Sequence, residues 1–151
     1  LAGTLGASYA FTNLFARPGG GWISDRFGRR RTLSIMVLGG MVSHWFMGEI
    51  SSDWQLTHAI ALTVVGSIFL KAGNGACFAV IPLISRPLTG KLAGLAGAYG
   101  SIGAVSFLTL YSFVTPQIFF KVIASYAFLV FLSLIFLKPF PATPGGKRSE
   151  I

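Results

Sequence analysis

Gly21-Trp22-Ile23-Ser24-Asp25-Arg26-Phe27-Gly28-Arg29-Arg30-Arg31 organises the reading of the whole chain. Five charges fall within the seven residues 25–31, between a run to Ser24 whose only charge is Arg17 and a charge-free run from Thr32 to Gly48. A dense basic step between two apolar stretches predicts a tight turn joining two helices. Gly28 supplies the positive-φ conformation of a sharp turn, and Gly21 lets a helix end pack closely. Asp25 accepts backbone N–H groups at a helix N-terminus or pairs with the arginines. Two readings stand side by side: a basic anchor with a turn, or a specific G-x-x-x-D-R-x-G-R-R motif.

Outward from that turn, composition sets the class. Of 151 residues, 53% are apolar and only 11% charged, against about 25% charge in soluble domains. Mean hydropathy is +0.71. Disorder needs low hydrophobicity, and a soluble domain would lack polar surface, so the chain reads as an integral membrane protein. Lys and Arg number 12 against 4 acidic residues, a net of +8. In a membrane chain such an excess marks cytoplasmic loops rather than a nucleic-acid partner. The single cysteine, Cys77, permits no internal disulfide and no cysteine metal cluster. Leu1 is preceded by no charged n-region, which argues against a signal peptide and for the interior of a longer chain.

Uncharged runs of roughly 20 residues locate membrane helices, and five are expected, at 1–24, 32–50, 57–84, 89–114 and 117–138. The fold class is therefore an all-α membrane bundle over residues 1–140, with a short polar tail at 141–151 after Pro141. Arg26, Arg29, Arg30 and Arg31 load the first connection, Arg86 and Lys91 the third, and Lys138, Lys147 and Arg148 the tail. The second carries Glu49 and Asp53 without a base. By the positive-inside rule the basic segments are cytoplasmic, as is the C-terminus. Lys121 is the misfit, and it can snorkel to the outer interface. Transporters are often built from six-helix repeats, so five spans imply a partial bundle whose remainder, the N-terminal half, lies upstream.

Arg17 precedes Asp25 by eight positions, about 12 Å along a helix. If the helix continues through Pro18 and Gly19-Gly20-Gly21, Arg17 lies at mid-membrane, where charge is usually functional; otherwise the helix ends at Ala16. A guanidinium with five fixed donors, walled by Phe11 and Phe15 and assisted by the Tyr9 hydroxyl, suits a planar oxyanion. Lys71 faces a polar cavity, pairs with an acid elsewhere, or lies near an interface. Asn74, within Gly73-Asn74-Gly75, makes an interhelical hydrogen bond or contacts substrate. Gly90, Gly94, Gly97, Ser101 and Ala104 share one helical face, which permits close backbone approach. That face is a helix contact or a binding surface. His44 and His58 read as interfacial side chains, and no catalytic constellation surrounds them. No metal, cofactor or enzymatic activity is expected.

The turn motif resembles the loop between the second and third helices of each half in the major facilitator superfamily. By that resemblance Asp25, Arg26, Arg29 and Arg30, with Gly21 and Gly28, form a conformational latch for alternating access, and the five spans are helices 8–12 of twelve. Gly94-x-x-Gly97-Ala98-x-Gly100-x-x-Gly103, preceded by Gly73-Asn74-Gly75-Ala76-Cys77-Phe78-Ala79-Val80-Ile81-Pro82, looks like the nitrate signature of the nitrate/nitrite porter family, cyanobacterial type. Arg17-Pro18-Gly19-Gly20-Gly21-Trp22 agrees, and the likeness extends from Ala2 to about Lys138. It implies nitrate and nitrite as substrates, a plasma-membrane location, and Arg17 as one of two anion-clamping arginines, the other in the absent half. It also implies that Gly94, Gly97, Gly100 and Gly103 form a smooth backbone path, with Asn74 and Ser101 near the anion. Tyr99, Ser101 and Ala104 stand where some members have glycine, asparagine and glycine, so nitrate and nitrite both remain open. Proton symport and nitrate/nitrite exchange also remain open, because no carboxylate lies within a span apart from Glu49 at the end of one. A facilitator for another small solute would share the turn without needing Arg17, and a non-transporting remnant is the further alternative.

Overall fold

The computed structural model describes residues 2–50, 54 and 56–136, with only the helical backbone for 2–10. Five helices follow in order: α1 (Ala2–Phe27), α2 (Arg29–Met47), α3 (Leu56–Ile84), α4 (Thr89–Tyr111) and α5 (Pro116–Phe136). No strand occurs among the described residues. Asp53 and the tail at 141–151, with Lys138, Lys147 and Arg148, lie outside them.

The element ends follow from local chemistry. Pro18 sits inside α1 without ending it, so Arg17 is helical. The expectation of a basic loop is corrected. Gly28 alone, at φ 95°, separates α1 from α2, so Asp25 and Arg26 end one helix and Arg29, Arg30 and Arg31 begin the next. A residue with a Cβ is strained in that left-handed region, which is why a glycine makes the break. Arg86 precedes Pro87, and a pre-proline residue disfavours helix, so α3 stops at Ile84. Pro116 opens α5 at the first helical position, where its missing N–H costs no hydrogen bond.

Helices α3, α4 and α5 are long and apolar enough to cross a membrane. At 26 and 19 residues, α1 and α2 have the length; Arg17, Asp25 and Arg26 dilute the first and Arg29–Arg31 the second. Helix α3 is the axis of the bundle. It packs against α1 on one side and α2 on another, while α5 closes on α2. Its buried residues are small or β-branched: Gly66, Ser67, Ala72, Ala76, Val80 and Ile81. Ala76 and Val80 meet Leu33 of α2 in a small core against which Leu134 of α5 packs. His44 is buried rather than interfacial; its Nδ1 lies 2.7 Å from the Gly40 carbonyl, and its ring is 6.0 Å from that of Phe120.

The close helix contact does not fall where glycine is densest. A Cβ placed on Gly90, Gly94, Gly97, Gly100 or Gly103 of α4 meets nothing within 4 Å. No described residue of α4 is buried. The contact is between α1 and α3. A Cβ on Gly20 would clash with the Ala72 backbone carbonyl, and one on Gly75 would sit 2.8 Å from the Arg17 carbonyl carbon. Backbone is the obstacle at both positions, so no side-chain rotation relieves it. Gly75→Ala and Gly20→Ala are therefore expected to destabilise the bundle by about 1–3 kcal/mol. Gly97→Ala, in open space, is expected to leave it unchanged. Denaturant titration of the chain in detergent micelles, followed by helical circular dichroism, separates the two classes.

Candidate functional site

The α1–α3 crossing brings chemistry together at mid-helix. Arg17 is exposed, and its guanidinium carbon lies 5.6 Å from the centroid of the Phe78 ring. A cation over an aromatic face at that distance is held by the ring quadrupole. Lys71 and Asn74 precede Phe78 by seven and four residues on α3, which puts all three on one helical face. Lys71 precedes Ala72, whose carbonyl lies against Gly20 of α1, so it belongs to the same crossing. Phe11 and Phe15, six and two residues before Arg17, stack edge to face at 5.3 Å. Phe78, not that pair, is the ring facing the guanidinium; the sequence placed it in the Gly73–Pro82 run without marking it. The side chain of Tyr9 lies outside the described residues.

A planar guanidinium backed by a ring on one face can offer its N–H donors edge-on to a flat anion. Asn74, one turn before Phe78 on α3, is exposed and carries two further donors. Charge at mid-depth in a bilayer costs about 2.5–3.5 kcal/mol on insertion scales, so two cations at one crossing need a polar cavity or a counter-charge. Both described carboxylates are engaged elsewhere. Asp25 bonds Arg29 at 2.6 Å, and Glu49 bonds Lys121 at 2.9 Å.

The α4 residues do not converge on this point. Gly94, Gly97, Gly100 and Ser101 are exposed on a helix that touches α3 and α5 only lightly. Ser101 Oγ donates to the Gly97 carbonyl at 3.1 Å. Its single proton is thereby committed, and what remains outward is an acceptor, the wrong polarity for an anion. A groove of about 580 Å³ lies between α2 and α5, lined by Met41, Trp45, Phe46, Phe128 and Leu129 among others. It is apolar and includes neither Arg17 nor Lys71, so it offers an anion no cation.

At the basic end, the turn residues divide their work. Arg29 has an 11% exposed side chain; besides Asp25 it donates to the Ala79 carbonyl of α3. Pro82 has no N–H for the neighbouring Phe78 carbonyl, so this is where the α3 ladder is interrupted. Arg30 donates through Nε to the Leu134 carbonyl at 3.0 Å, and through Nη2 to that of Ile135. Both carbonyls stand in the last described turn of α5. Arg26 instead stacks on Trp22 at 5.5 Å. The direct charge pair is thus Asp25–Arg29, with Arg29 and Arg30 reaching across to two other helices.

A family model for the Major Facilitator Superfamily matches residues 1–150. The chain belongs to that superfamily. Within it the chain is similar to nitrate/nitrite porters. It is 44% identical over 110 residues to the nitrate/nitrite transporter NrtP of Picosynechococcus sp., covering 72% of this chain and 21% of that protein. NrtP of Nostoc punctiforme is 39% identical over 140 residues, 91% of this chain and 28% of the relative. High affinity nitrate transporter 2.5 of Arabidopsis thaliana is 42% identical over 127 residues, 80% and 23%. The chain thus spans between a fifth and just over a quarter of the length of these relatives. No solved structure matches.

The arginine contacts of this facilitator segment give a graded expectation. Arg29→Ala removes charge-assisted bonds from a nearly buried position and should lower stability by about 2–3 kcal/mol. Arg26→Ala removes only an exposed stacking contact and should change stability little. Denaturant midpoints of the two variants in micelles provide the comparison.

Proposed function

We propose that this chain is part of a nitrate/nitrite transporter working by alternating access, and that Arg17 holds the anion. The observation that carries the reading is the Arg17 guanidinium, helical and exposed, set against Phe78 at a glycine-tight crossing. Nitrate is planar, singly charged and weakly basic. It suits a planar donor fork with an aromatic wall better than it suits a hydrated ammonium. Asn74 adds a short polar contact. The three relatives described above, all nitrate or nitrate/nitrite transporters, point the same way.

The remaining parts of the reading concern the rest of the transporter. An N-terminal half supplies a second arginine, and the open glycine face of α4, with Gly94, Gly97, Gly100 and Ser101, runs along that half as the substrate path. Gly21, Asp25, Arg26, Gly28, Arg29 and Arg30 act as the conformational latch, since Arg29 and Arg30 tie α2 to α3 and α5 through bonds that break and remake as helices move. The five helices are helices 8–12 of twelve. The protein sits in the plasma membrane with the basic end and C-terminus cytoplasmic. It performs no catalysis, needs no cofactor and binds no nucleic acid. Coupling is by proton symport or by nitrate/nitrite exchange.

The test is transport by the intact protein in proteoliposomes. Arg17→Lys keeps the charge and removes the fork, and is expected to raise the nitrate KM about ten-fold or more, since bidentate and monodentate recognition differ by at least one such bond. Arg17→Ala should abolish saturable uptake. Unchanged nitrate uptake by Arg17→Lys would sink the assignment of Arg17, and a wild-type protein that carries a different solute would favour the general-facilitator reading.

A further inference from the structure

We propose that the groove between α2 and α5 is a lipid site, and that its occupant is a zwitterionic phospholipid with a primary amine in its headgroup, of the phosphatidylethanolamine class. The inference goes beyond the transport reading and needs only that the bundle lies in a bilayer. The groove itself is the first observation. About 580 Å³ of space lies between Met41, Trp45 and Phe46 of α2 and Ala124, Phe128 and Leu129 of α5. Ser125 also lines it, but its hydroxyl donates to the Lys121 carbonyl at 2.8 Å, so that proton is committed to the helix. Such walls match a hydrocarbon chain, which gains dispersion contacts that an unfilled groove would forfeit.

The second observation is depth. Helix α2 has 19 residues, about 28 Å at 1.5 Å per residue, with arginines at one end and Glu49 just past the other. Lys121 precedes Ala124 and Ser125 by three and four positions, and Glu49 follows Phe46 and Trp45 by the same intervals. Three or four residues is one helical turn. On both walls, therefore, the Lys121–Glu49 pair stands one turn above the groove. Trp45 joins the two levels, since it lines the groove and its ring centroid lies 6.0 Å from Lys121 Nζ. Tryptophan is the side chain enriched at headgroup level. Charge above and hydrocarbon below is the layout of a phospholipid beneath its own headgroup.

The third observation is the charge at the mouth, and it selects the headgroup. Lys121 Nζ lies 2.9 Å from Glu49 Oε1, and the two side chains are 42% and 50% exposed. The lysine stem runs over Gly48, where a Cβ would come 2.7 Å from its Cγ, and this holds the ammonium beside the carboxylate. Glu49 engages one of three ammonium donors, and the carboxylate keeps accepting positions of its own. Because the pair is neutral, an anionic headgroup is drawn by Lys121 and repelled by Glu49 alike. A zwitterion laid beside the pair in the opposite sense sets its phosphate on Lys121 and its ammonium on Glu49. Choline has no N–H to give the carboxylate, whereas ethanolamine has three.

The intact transporter in detergent is titrated with phosphatidylethanolamine, phosphatidylcholine and phosphatidylglycerol of identical acyl chains, and bound lipid is counted by native mass spectrometry. Wild type is expected to hold phosphatidylethanolamine about three- to five-fold more tightly than either of the others, the range of a half-exposed ion pair. Glu49→Gln leaves the Lys121 ammonium uncompensated and should invert the ranking, with phosphatidylglycerol first. Ser125→Phe fills the groove and should remove the discrimination between headgroups. Equal binding of the three lipids by wild type overturns the proposal, as does a wild-type preference for phosphatidylglycerol or phosphatidylcholine. Absence of bound lipid also overturns it and assigns the groove to another protein segment or a second copy. A ranking unchanged in Glu49→Gln, or undiminished in Ser125→Phe, overturns it too. Should either variant fail to fold, wild type is cross-linked to phosphatidylethanolamine carrying a photoactivatable acyl chain. Adducts within 41–46 or 124–129 then support the site, and adducts confined to other segments overturn it. None of these readouts involves nitrate, so failure of the Arg17 assignment would leave this result standing.

Discussion

Everything at the centre of this bundle depends on the backbone contact between α1 and α3. Within a membrane, helices gain little from hydrophobic burial against one another, because lipid is as apolar as a leucine side chain; close packing has to supply the association. Gly20 against Ala72 and Gly75 against Arg17 let two backbones approach where any Cβ would collide. The contact also fixes rotation. One residue of slip turns a helix by 100°, which would swing Arg17 off Phe78 and away from the α3 face that carries it. A packing device in small residues thereby becomes a device for aiming charge.

The other cations show by contrast what an ordinary structural charge does. At the basic end, Arg29 and Arg30 reach helix carbonyls, and Asp25 shares Arg29. At the opposite end Lys121 meets Glu49 and lies 6.0 Å from the Trp45 ring centroid. Helix α5 is thus held to α2 at both ends, through Arg30 and through Lys121. Helix α4 has no such ties and no buried residue among those described. The result is four helices, α1, α2, α3 and α5, packed through α2 and α3, and a fifth, glycine-faced, lying open beside them.

Several of these features were legible from the residues alone. The apolar runs located all five helices within a few positions, because a membrane helix must satisfy its own backbone and so occupies a run of fixed minimum length. Gly28 was readable as the break, since a basic motif with one glycine between two helices leaves no other residue for a positive φ. Three things were not readable. Gly20 and Gly75 carry no stronger signal than the denser glycines of α4, yet they make the contact; glycine only permits approach, and which helix comes near is a long-range matter. Phe78 is one of 14 phenylalanines, and only its register opposite Arg17 distinguishes it. Lys121 looked like a charge on the wrong side of the membrane until Glu49, 72 residues earlier, was found beside it.

By itself the sequence determined the class, the helix count and the family, since these depend on composition, run length and local motif. Tertiary structure decided which glycines carry the fold, which ring backs Arg17, that His44 is buried, and that Lys71 and Arg17 share one crossing. Those depend on rotation and register between helices far apart in the chain, and a periodicity of 3.6 residues sets faces on each helix without saying which faces meet.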